Sequence, residues 1–151
     1  MVKAMIEGVD IPVRREFDED TPPTINANLI HFNGVGDDGH ETFVIHRKAK
    51  KDDENVGGGL MAFTFCKTAR KPYDIFVAGT LILAKTLFRD DVRFSSDGKL
   101  KDLEDARKLA SKIYGSDIKL VEIKEDGKPC INVEIEAEKV ISEEEYKRIV
   151  M

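Results

Sequence analysis

Lys67-Thr-Ala-Arg-Lys-Pro-Tyr-Asp74 stands between two apolar runs of different character, and its reading decides the fold. Before it, Leu60-Met-Ala-Phe-Thr-Phe-Cys66 has the length and aromatic content of a buried strand. After it, Ile75 to Phe88 is apolar around most of a helical circumference, interrupted by Thr80, Lys85 and Thr86, which marks a buried helix. Pro72 suits the first helical position, where its missing N–H would have no intrahelical partner anyway. Asp74 suits the positive end of the helix dipole. The stretch therefore reads as the turn that takes a strand into a helix.

Working towards the N-terminus, residues 49–59 form a charged loop ending in glycines. Ile25–Asn33 and His40–Arg47 read as the strands of a hairpin around Gly34-Val-Gly-Asp-Asp-Gly39. Alternation puts Ile30 and Phe32 on one face, which Phe43 and Ile45 can share. Residues 14–24, with Pro22-Pro23, read as an extended solvated connector. Val2–Val9 is a short strand candidate limited by Pro12.

Towards the C-terminus, Asp91–Ser95 reads as a strand, and Ser96-Asp97-Gly98 as a turn. An amphipathic helix follows with Leu100, Leu103, Ala106, Ala110 and Ile113 along one stripe, ended by Gly115. Ile118–Ile123 and Cys130–Glu136 form a second hairpin around Asp126-Gly127. Ser142 and Glu145 make a capping box for a terminal helix that includes Tyr146 and Ile149. Strands joined through packed helices within one sheet must run parallel with right-handed crossovers. The expected fold is α/β: a single domain with a mixed sheet, a central βαβαβ unit, an N-terminal hairpin and a C-terminal hairpin plus short helix. An α+β arrangement of the same elements stays open.

Composition narrows the function. A chain of 151 residues suffices for one domain with a sizeable core. With 41% hydrophobic and 35% charged residues it reads as a well-solvated globule, and no apolar run reaches the roughly 20 residues a bilayer requires. The N-terminus is too short and polar for a signal peptide. Cys66 and Cys130 both sit in strand-like runs and read as buried, reduced thiols of a cytoplasmic protein. A net charge of −5 argues against general nucleic-acid binding, which needs a basic face.

In a βαβαβ unit the loops Lys67–Pro72 and Ser95–Gly98 both lie at strand carboxyl ends and open into helix N-termini, where α/β sheets bind ligands. The candidate ligand-binding residues are Lys67, Thr68, Arg70, Lys71 and Tyr73 with Ser95, Ser96 and Asp97. Such a set could hold a phosphate or carboxylate, with Tyr73 stacking on a ring and Asp97 accepting from ribose hydroxyls. Against it stands the plain reading of Ser-Ser-Asp-Gly as a turn and N-cap, with Arg70 or Lys71 paired to Asp74 or Asp97. Neither the G-x-x-x-x-G-K-[ST] phosphate loop nor the G-x-G-x-x-G fingerprint is present.

Cys66, ahead of a helix and near Lys67 and Arg70, has the setting of a nucleophile. The arginine comes four positions later, however, where cysteine phosphatases place it six later, and a core thiol is the better reading. His31, His40 and His46 fall on the polar face of the first hairpin in a register pairing Ile30 with Phe43, and nothing in their spacing forces three or four ligands to converge on a metal. Glu134 to Glu145 is an acidic surface that could meet a basic partner.

Cys66-Lys-Thr-Ala-Arg-Lys-Pro-Tyr-Asp74, with Ser95-Ser-Asp-Gly98 downstream, resembles small uncharacterised proteins encoded in phages and prophages, over roughly Asn33 to Gly115. The resemblance implies a viral or mobile-element accessory protein in the host cytoplasm, acting on host defence. The leading expectation is a non-catalytic binding protein, without cofactor or metal, that holds an anionic small molecule or nucleotide. The alternatives are a protein–protein interaction module that inhibits a host protein through its acidic C-terminal surface, and a small hydrolase or phosphoesterase. Neither a membrane nor nucleic acid is an expected partner, and self-association into a homo-oligomer is compatible with every reading.

Overall fold

The computed structural model describes residues 1–47, 65–138, 141–142 and 144–145. Among these, helices and two antiparallel sheets make an α/β chain that divides into two compact units, Ile6–Val77 and Met1–Met5 with Ala78–Met151.

The Ile6–Val77 unit is built on β3 (Leu29–Gly34), the strand that all its neighbours pair with. β1 (Val13–Arg14) pairs with it opposite Asn33 and Gly34, and β2 (Thr24–Ile25) opposite Ile30 and His31. β4 (Phe43–His46) pairs with it in a register that sets Ile30 against Ile45 and Phe32 against Phe43. Ile30, Phe32, Phe43 and Ile45 do share a face, two residues out of the Ile30–Phe43 register expected. Phe32 and Phe43 meet at 5.2 Å between ring centroids, and Phe76 meets Phe32 edge-on at 6.5 Å. Such pairs contribute about 0.5–1.5 kcal/mol each beyond their buried area.

The run Ile25–Asn33 is not one strand. Asn26 breaks it: its Oδ1 accepts from the N–H groups of Asn28 (2.9 Å) and Leu29 (3.0 Å), folding β2 back on β3 in a tight hairpin. Residues 14–24 are less detached than their composition suggested, since β1 begins the segment and Glu16 reaches the sheet. Gly34 is required by close approach, because a Cβ there would stand 2.0 Å from the Asp38 carbonyl oxygen.

Helix α2 (Asp74–Phe88) follows the basic turn and crosses from one unit into the other along its length. In the second unit its buried side chains include Ile82 and Leu83, and Thr86 satisfies its hydroxyl on the Ile82 carbonyl at 2.7 Å. Buried Lys85 reaches the Arg89 carbonyl (3.1 Å) and the Glu134 carboxylate (3.0 Å). Met1–Met5 opens α1 (Val2–Glu7), a helix where a strand was expected. Val2, Met5, Ile6 and Val9 recur at helical spacing, and Met5, fully buried, lies where a Cβ on Gly79 would come within 2.6 Å of its sulfur.

The second sheet has the order β5 (Phe94–Ser96), β7 (Ile131–Ala137), β6 (Ile118–Lys124), every pair antiparallel. This replaces the expected βαβαβ crossovers. The parallel rule holds only for strands of one sheet, and here β5 pairs with the C-terminal hairpin while the early strands pair among themselves. The strand expected over Leu60–Cys66 lies largely outside the described residues; Phe65 and Cys66 carry no strand, and Phe65 is 68% exposed. Helix α3 (Glu104–Tyr114) buries Ala106, Ala110 and Tyr114, with Leu103 just before it, and ends at Gly115 with φ of 87°. Gly127 turns the β6–β7 hairpin with φ of 77°. Ser142 and Glu145 form the expected capping box, with Oγ accepting from the Glu145 N–H at 3.2 Å; the remainder of the terminal helix lies outside the described residues.

Candidate functional site: a laced basic turn

The turn Lys67–Lys71 is held against the loop Gly36–Glu41 of the same unit by hydrogen bonds that converge on two residues, Glu41 and Lys67. The Glu41 carbonyl accepts from the Tyr73 hydroxyl (2.6 Å) and the Cys66 thiol (3.3 Å). Its carboxylate accepts from the Lys67 N–H (2.7 Å), and its own N–H donates to the Lys67 carbonyl (3.3 Å). That same carbonyl accepts from His40 Nδ1 at 2.7 Å. Further along, Lys71 Nζ donates to the Asp37 carbonyl at 2.6 Å.

Asn33 ties the receiving loop together. Fully buried, it donates from Nδ2 to the His40 carbonyl (2.8 Å) and Thr42 Oγ1 (2.9 Å). Its Oδ1 accepts from the N–H groups of Gly34 (2.8 Å) and His40 (3.0 Å). Thr42 in turn donates to the Glu16 carboxylate, which also meets His31 Nε2 at 2.7 Å. The Thr42 hydrogen bond, with help from His31, holds the Glu16 carboxyl below its ordinary value despite some burial.

The turn itself is built from residues in an unusual conformation. Ala69 and Arg70 both have positive φ, 51° and 55°, and the Lys71 N–H closes the turn on the Thr68 carbonyl at 3.0 Å. Consecutive left-handed residues are the backbone of a type I′ turn, which normally selects Asn-Gly. Thr68, buried, anchors it by donating to Asp74 Oδ1 at 2.6 Å.

The expected site residues therefore separate into three groups. Lys67 and Arg70 are exposed on the turn, as a ligand contact requires. Thr68, Lys71 and Tyr73 have structural work instead: Thr68 anchors the helix start, Lys71 ties the Asp37 carbonyl, and Tyr73 is wholly buried with no ring face to stack on a ligand. Burial also pushes the Tyr73 phenol well above its ordinary value. Asp74 pairs with Thr68 rather than with Arg70 or Lys71. Ser95, Ser96 and Asp97 belong to the other unit and form a turn of their own. Ser95 stands opposite Asn132 in the sheet, Ser96 Oγ accepts from the Gly98 N–H at 3.1 Å, and Asp97 is exposed.

Two residues add to this surface. Exposed His40 donates from Nδ1 to a carbonyl, an atom that can only accept, so Nδ1 carries a proton. Phe65 is the exposed aromatic beside Lys67 that Tyr73 was expected to be. The signal for His40 was its place at the end of a glycine-rich loop; the partner 27 residues away had no signature.

Burial pushes the Cys66 thiol up to about 11, opposed only in part by its contact with Tyr73, so Cys66 is a protonated donor and not a thiolate. Cys130, expected to be buried, is exposed in the hairpin that joins β6 to β7. Among the described residues no group of three or more His, Cys, Asp or Glu side chains could hold a metal ion, and no helix is long and apolar enough to cross a membrane. Comparison of the chain with protein-family models, with curated proteins and with solved structures returns no match.

Proposed function

We propose that the chain is a small binding protein that holds an anionic small molecule, of the nucleotide class, on the basic turn around Lys67 and Arg70. The observation that carries this reading is the His40–Lys67 clasp. It fixes an exposed imidazole edge beside an exposed lysine, next to a turn whose backbone is set by Thr68 and the Lys71 N–H. Lys67 and Arg70 supply charge-assisted hydrogen bonds to phosphate oxygens, and the His40 ring edge borders them. Phe65 offers a ring against which a base can stack. In this reading the protein is an accessory factor of the phage type that its Cys66–Asp74 segment resembles.

The acidic surface is the weaker candidate for a partner site. Glu134 is committed to Lys85 at 3.0 Å, and Glu145 to the cap on Ser142. Thermal-shift titration with nucleoside monophosphates and inorganic phosphate tests the proposal: stabilisation that Lys67→Ala and Arg70→Ala both abolish is expected. Absence of stabilisation by any of these anions, or stabilisation that both variants retain, contradicts it.

A further inference from the structure

Strand β6 lies at the edge of its sheet among the described residues, and its two halves differ. Ile118 is fully buried and Leu120 half-buried, whereas Val121, Glu122, Ile123 and Lys124 are all exposed, Val121 by 37% and Ile123 by 46%. An edge presents a row of unpaired backbone N–H and C=O groups, which proteins ordinarily guard with charged side chains, proline or a bulge. This edge carries Glu122 between Lys119 and Lys124. Within its own sheet Glu122 stands opposite Val133 and Lys124 opposite Ile131, so neither charge meets an opposite one across β7.

We infer that Val121–Glu125 is a self-association edge, which a second copy of this chain pairs antiparallel about Ile123. In that register Glu122 of each copy faces Lys124 of the other, twice over, and Ile123 faces its own counterpart. Registers that keep each face on its own side of the sheet must centre on a residue. Centring on Val121 sets Glu122 against Leu120 and Lys119 against Ile123; centring on Glu122 sets two carboxylates together. Charge complementarity therefore selects Ile123. The contact is isologous and closes on itself as a twofold dimer, joining two three-stranded sheets edge to edge, with cross-strand ion pairs and β-branched contacts as the stabilising units.

Sedimentation equilibrium of the full chain from about 10 μM to about 1 mM tests this, since mass action makes the dimer concentration-dependent. The wild type is expected to dimerise. Glu122→Lys and Lys124→Glu each place like charges opposite each other twice, and each weakens the dimer by about tenfold or more. The double variant E122K/K124E restores association, and mixing the two single variants yields a heterodimer. Both positions are exposed, and circular dichroism checks that the variants fold. A wild type that stays monomeric throughout the range overturns the inference, as does a dimer that the single variants leave unchanged or the double variant fails to restore.

Discussion

His40 donates its Nδ1–H to the main-chain carbonyl of Lys67 across 2.7 Å. One hydrogen bond thus sets the tautomer of an exposed imidazole and ties the loop before β4 to the turn before α2. The Glu41 carbonyl next in sequence takes the Tyr73 hydroxyl, and Asn33 beneath holds the His40 N–H and C=O on its amide. The basic turn is therefore positioned by buried amide and hydroxyl groups behind it, while Lys67 and Arg70 stay on the exposed side.

Asn33 is where this arrangement is most vulnerable. Its amide makes four hydrogen bonds at full burial, and Asn33→Ala leaves their partners unsatisfied. The expected loss is roughly 2–4 kcal/mol in urea denaturation. A loss below about 0.5 kcal/mol, the range of ordinary surface changes, would show that the loop is held by something else.

Ala69 bears a cost that glycine would not. At φ of 51° its Cβ is crowded, so Ala69→Gly should stabilise the protein by about 1 kcal/mol, read as a Tm higher by roughly 2–4 °C. Ala69→Val at the same position should lower Tm. Equal effects of the two substitutions would contradict a left-handed residue here.

Cys66 and Cys130 should separate in alkylation. With its thiol pushed up to about 11, native Cys66 should react with iodoacetamide at pH 8 on the order of a hundredfold slower than it does in urea. Exposed Cys130 should react at similar rates in both states. Rapid native labelling of Cys66, located by peptide mass spectrometry, would restore the nucleophile reading.

Glu16 contributes a pH-dependent part of stability whose sign is fixed. Its folded pKa is depressed below the ordinary 4.5, so its contribution is fully present above that value and is lost as pH falls through the lower folded value. Glu16→Gln keeps an acceptor for Thr42 but removes the titration. The stability difference between wild type and E16Q should therefore shrink as pH is taken from 6 to about 3; a gap that stays constant or widens towards acid would be inconsistent with this.

The parts legible in the sequence are those where one residue dictates a local conformation. Gly115 ending α3, Gly127 turning the C-terminal hairpin and Ser142 with Glu145 forming a cap are all of this kind. Asn26 belongs with them in chemistry but was hidden inside an apolar run, and its side chain competes with the strand only because β2 can fold back on β3. The crossover geometry was not legible, because which strands share a sheet depends on pairings distant in sequence, as between β5 and β7. For the same reason Lys67 and Arg70 could be picked out as exposed cations in a turn, whereas Tyr73 could not be told from a stacking platform until its hydroxyl was seen on Glu41.

Chemical-shift mapping with a nucleoside monophosphate bears most directly on the binding role. Titrated into labelled protein, the ligand should move the amides of Lys67, Ala69, Arg70 and Lys71 and the His40 ring resonances along one saturable curve, with Lys67→Ala abolishing the response. Saturable shifts confined to other residues, or none at millimolar ligand, would mean that this turn is not where an anion binds.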